Sequence, residues 1–68
     1  MKAMYVTQCG NLYKGVLMCK SSESPALTSS KVTLDDKSVI ELADGSVVIE
    51  VDSNTRHILY EGKWYEKQ

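Results

Sequence analysis

At 68 residues, 43% of them hydrophobic and 25% charged, with a formal net charge of −1, the chain is sized for one domain with a thin core. A pI near 5.7 argues against a protein that holds nucleic acid by bulk charge, and no run approaches the roughly 18–20 apolar residues of a membrane span. A core this small seldom supplies more than about 3–5 kcal/mol, so a partner or a homodimer is expected to assist it.

Taken in chain order, Met1–Gln8 lacks the apolar segment of a secretory signal. There are only two cysteines, Cys9 and Cys19, too few for a disulfide framework, so a cytoplasmic setting is expected. Met4–Gln8 and Leu12–Met18 read as strands around Cys9-Gly10-Asn11. That hairpin opposes Cys9 to Leu12 and leaves Cys19 beyond the paired region, which argues against a bridge between the thiols. Residues 20–30 form the only low-complexity segment, and five of residues 21–30 are serine. The segment is expected to be a flexible loop, with Ser24-Pro25 able to start one helical turn. Lys31–Leu34 reads as a short strand before the turn Asp35-Asp36-Lys37.

The strongest local signal is Ser38–Val51, two β-branched runs joined by Asp44-Gly45. Asp-Gly suits a type I′ turn, which needs φ > 0 at both positions, so a hairpin is expected here. Its register opposes Leu42 to Val47 and Ile40 to Ile49, which predicts a buried side of Ile40, Leu42, Val47, Ile49 and Val51. The outer side then carries Val39, Glu41, Ala43, Ser46, Val48 and Glu50. Val47–Val51 and His57–Tyr60 flank the turn-rich residues 52–56 and read as the next hairpin. With Glu61-Gly62 as the last loop, Leu59 faces Trp64, Ile58 faces Tyr65 and His57 faces Glu66.

Short strands at roughly 8–12-residue spacing, with no sustained helical period, predict an all-β fold. The expected form is a small antiparallel meander of five to seven strands, either an SH3-like or OB-like small barrel or a strongly curved sheet.

Chemistry-bearing residues are sparse. One histidine and two distant thiols assemble no nucleophile with its base, and Cys9, Cys19 and His57 lack the short paired spacing of structural zinc. No enzyme activity, metal or cofactor is expected. Charge is uneven: residues 1–34 balance to +3, residues 35–55 to −5 and residues 56–68 to +1. The first expectation is therefore a non-catalytic protein-binding module, an inhibitor or adaptor. It would present Asp35, Asp36, Glu41, Asp44, Val48, Glu50 and Asp52 to a basic, nucleic-acid-handling protein. In size and charge this is analogous to the inhibitors that mobile elements and phages encode. The alternative is a small-barrel nucleic-acid binder using an aromatic end, Tyr13, Arg56, Tyr60, Trp64 and Tyr65, with Lys14 and Lys63 beside it.

Overall fold

The computed structural model describes residues 1–67 and contains seven strands with no α-helix among them. They are β1 (Lys2–Cys9), β2 (Leu12–Cys19), β3 (Lys31–Thr33), β4 (Val39–Glu41), β5 (Val47–Glu50), β6 (Thr55–Tyr60) and β7 (Lys63–Lys67). A single 3₁₀ turn at Ser24–Ala26, with Pro25 early in it, interrupts the serine-rich connection. Five strands form one open sheet in the order β1-β2-β5-β6-β7, and β3 and β4 form a separate two-stranded sheet. The all-β expectation is met; closure into an SH3-like or OB-like barrel is not, because the five-stranded sheet ends at β1 and β7.

Three local readings hold to the residue. Cys9 faces Leu12 across β1 and β2, and Leu59 faces Trp64 while His57 faces Glu66 across β6 and β7. The β6–β7 turn has φ +50° at Glu61 and +78° at Gly62, the paired positive values of a type I′ turn.

The Asp44-Gly45 hairpin does not form. β4 pairs instead with β3, around the Asp35-Asp36-Lys37 turn, while β5 pairs with β6 on one edge and runs parallel to β2 on the other. A four-residue turn is present, closed by the Ser46 amide on the Ala43 carbonyl at 3.2 Å, but φ is positive at Gly45 (+92°) and not at Asp44. The chain is therefore not turned back on itself. Tyr13 faces Leu42 and Val16 faces Val47, both in parallel, so residues 42–47 travel along β2 in one direction with Asp44-Gly45 as a detour. The meander is consequently mixed rather than purely antiparallel.

This detour uncouples the faces of β4 and β5. Ser46, Val48 and Glu50 point into the protein, with Val48 0% and Glu50 5% exposed, whereas Val51 is 50% exposed. The predicted inner and outer sides of β5 are exchanged, as a one-residue change of parity requires. The core lies between one face of the large sheet and the segment 27–42. Leu17, Cys19, Val48 and Leu59 meet Val32 and Leu42, with Leu27, Leu34, Ile40 and Trp64 packed around them. Leu17, Val48 and Leu59 are at most 1% exposed, and each such burial contributes about 1.5–3 kcal/mol.

Gly15 marks a tight passage in β2, where a Cβ would sit 1.7 Å from the Tyr5 carbonyl oxygen, beside the bulge at Ala3–Tyr5 in β1. Gly15→Ala is expected to destabilise the protein by at least about 1–3 kcal/mol, because only backbone displacement relieves the contact. Glu61→Asn, which suits the left-handed first position of the last turn, is expected to raise stability by several tenths of a kcal/mol. Chemical denaturation of both variants beside the wild type measures these shifts.

Candidate functional site

Ladder register assigns each side chain of the large sheet to a face. The inner face carries Tyr13, Leu17, Cys19, Val48, Glu50, His57, Leu59 and Trp64, and the segment 20–42 covers most of it. The outer face carries no member of the core cluster, and the Lys14 side chain on it runs beside Gly45. From edge to edge it presents Lys2, Tyr5 and Thr7 on β1, Lys14, Val16 and Met18 on β2, and Val47 and Ile49 on β5. Arg56, Ile58 and Tyr60 follow on β6, and Lys63, Tyr65 and Lys67 on β7.

None of these is acidic. Tyr5 is 76%, Tyr60 56% and Tyr65 54% exposed, around a half-buried aliphatic centre. Among the described residues no ion pair joins Lys2, Lys14, Arg56, Lys63 or Lys67 to a carboxylate. On a chain of net charge −1, this face concentrates cations, three open aromatic rings and apolar surface.

The expected aromatic end is thus divided. Arg56, Tyr60 and Tyr65 belong to the outer face. Tyr13 and Trp64 pack against the core, and the Trp64 indole Nε1 donates to the Ser29 carbonyl at 2.8 Å, anchoring the serine-rich loop. Tyr5, Lys2 and Lys67 join the face without having been singled out in the sequence. Their signal was the alternation within β1 and β7, unreadable as a shared surface until β2 and β5 are known to be neighbours.

The expected acidic face is not assembled. Val48 and Glu50, two of its expected members, lie in the interior. The remaining carboxylates largely bind the chain's own loops. Asp52 accepts from the Ser21 amide and hydroxyl at 2.8 and 2.7 Å, Asp36 accepts from the Ser38 amide, and Asp44 accepts from the Glu61 amide at 2.9 Å. These serine donors hold the Asp36 and Asp52 carboxyls below the usual range. Asp35 and Glu23 each accept from the Met1 α-ammonium at 2.7 Å, and Glu41 is within 3.4 Å of the Ser30 hydroxyl. Acid concentrated in residues 35–55 therefore ties down residues 20–30 and the turns.

Glu50 has a different environment. Its carboxylate accepts from the Ser53 hydroxyl at 2.7 Å and contacts His57 Nε2, and these two donors hold it below the usual carboxyl range. Two clefts of about 380 Å³ flank Met1; neither is lined by His57 or a cysteine. No described helix is long and apolar enough to cross a membrane. No protein-family model, curated protein or solved structure matches the chain.

Cys9 and Cys19 are both free thiols and lie at opposite ends of the first hairpin, since Cys9 pairs with Leu12 while Cys19 ends β2. That is roughly 20 Å of strand, against the less than about 7 Å between Cα atoms that a disulfide needs. Cys9 is exposed; Cys19 is buried, and burial together with Glu23 and Glu50 pushes its thiol up. Iodoacetamide is expected to modify one thiol of the native protein rapidly and the second only on unfolding, with mass spectrometry placing the first adduct on Cys9. Rapid modification of both in the native state would contradict the burial of Cys19.

Proposed function

We propose that the protein is a non-catalytic binding module that holds single-stranded nucleic acid on the outer face of its five-stranded sheet. The observation that carries this reading is the segregation of charge by face. Five cationic side chains without acidic partners surround three exposed tyrosines on one continuous surface. Base stacking on exposed rings within a positive groove is the usual physical basis of sequence-tolerant single-strand binding. Tyr60 and Tyr65 are diagonal neighbours, since Tyr60 faces Lys63 and Ile58 faces Tyr65, so adjacent bases have adjacent rings.

The low pI was the argument against nucleic acid, and it weakens once charge is sorted by location, because no carboxylate stands on the outer face of the large sheet. A second copy of the same face would set five cations against five others, which charge disfavours. A basic protein partner bound through the acidic hairpin loses its support with the burial of Val48 and Glu50.

Fluorescence anisotropy with labelled single-stranded oligonucleotides tests the reading. Binding at about 50 mM salt is expected to weaken with log[salt] at a slope of about −2 to −3.5 for three to five phosphate contacts. Tyr60→Ala and Tyr65→Ala are each expected to cost about 1–3 kcal/mol, while Arg56→Glu flattens the salt dependence. Absence of binding at low salt, or binding indifferent to both tyrosines, refutes the proposal; selective capture of an acidic protein instead would reassign the face to a protein partner.

A further inference from the structure

On the opposite face of the sheet, three adjacent strands bring Glu50, His57 and Glu66 together, and we propose that these residues form a zinc-binding site. The inference is independent of the nucleic-acid reading. One ligand atom from each residue, a carboxylate oxygen, an imidazole nitrogen and a second carboxylate oxygen, lies within 4.8 Å of the other two. The register explains the convergence: His57 on β6 faces Glu66 on β7, and Glu50 on β5 reaches His57 diagonally from the neighbouring rung.

A zinc ion with nitrogen and oxygen ligands at about 2.0–2.2 Å places neighbouring tetrahedral donors about 3.4 Å apart. The three ligand atoms, already within 4.8 Å of one another, would settle to that spacing around the ion. Three protein donors leave a fourth position for water. Zinc suits the set better than magnesium or calcium, which take six or more ligands and prefer oxygen alone.

The surroundings favour an ion held in a defined place. The Glu50 and His57 side chains are only 6% and 10% exposed, so their positions are fixed by packing. The Ser53 hydroxyl, 2.7 Å from Glu50 Oε1 and 3.1 Å from the Thr55 hydroxyl, orients the buried carboxylate. Glu66 is exposed on the edge strand, which supplies an entry route from solvent. Two carboxylates and an imidazole left neutral once the incoming ion displaces its Nε2 proton would offer a divalent cation a charge of −2 to cancel. Sequence spacing concealed the set because Glu50 appeared to belong to the outer face, leaving His57 and Glu66 as an isolated pair.

The test uses chelator-treated, desalted protein carrying Cys9→Ser, which removes the exposed thiol as a competing ligand. Calorimetric titration with zinc chloride is expected to show one ion per chain, zinc is expected to raise the melting temperature, and the His57 Nε2 resonance should shift on binding. Glu66→Gln lies at an exposed position and is expected to fold as the wild type does while weakening zinc affinity at least tenfold. His57→Gln is expected to abolish binding; should it fail to fold, the Glu66→Gln result decides. An absence of zinc binding, an affinity unchanged by Glu66→Gln, coordination through Nδ1, or an equal response to magnesium chloride overturns the proposal.

Discussion

The parallel seam between β2 and β5 is the constraint on which the rest of the structure depends. It joins a hairpin at the start of the chain to a three-stranded meander at its end, and its four paired rungs run from Val16–Val47 to Cys19–Glu50. Its register decides which side chains of β5 enter the core, and through the antiparallel ladder it decides the same for β6 and β7. A parallel pair needs a long connection. The segment between β2 and β5 fills that role and also carries β3 and β4, which cover the inner face. Core, cover and open face thus follow from one pairing.

Charge is arranged around the same division. Carboxylates meet serine hydroxyls and backbone amides in the connection and the turns, where each accepted hydrogen bond offsets part of the entropy lost in ordering a loop. Five of the eight cations stand on the outer face of the large sheet, where no ion pair joins them to a carboxylate among the described residues. Net charge averages over both populations and conceals each. Composition alone therefore gives no sign of how charge is divided between the two faces of the sheet.

What was legible in the sequence was local. Glu61-Gly62 was readable because a two-residue loop between apolar runs leaves few registers, and the Leu59–Trp64 and His57–Glu66 pairs followed from it. Cys9-Gly10-Asn11 was readable for the same reason. Asp44-Gly45 carried an equally strong turn signal, but β4 and β5 each had another local partner, β3 and β6, while the free edge of β5 met β2 and Leu42, just past β4, bridged Tyr13. The dipeptide bends the path there without reversing it, its Asp44 carboxylate and Gly45 amide bonding to the end of the β6–β7 hairpin. Nothing in residues 38–51 alone distinguishes these outcomes. The candidate sites inherit the same limit, since the outer tyrosines come from β1, β6 and β7, and Glu50 changes face with the register of β5.

The seam also divides the molecule kinetically. Residues 1–19 and 47–67 each form contacts between strands adjacent in sequence, which close quickly because little loop entropy opposes them. Joining β2 to β5 requires closure of the whole intervening segment, so pairing within each half is expected to precede pairing between them. During that interval β2 and β5 are unpaired edges, each complementary to the other half of any neighbouring chain. High protein concentration during refolding then favours reciprocal exchange of halves between two molecules, and the same complementarity equips separate N- and C-terminal fragments to reassemble across the seam.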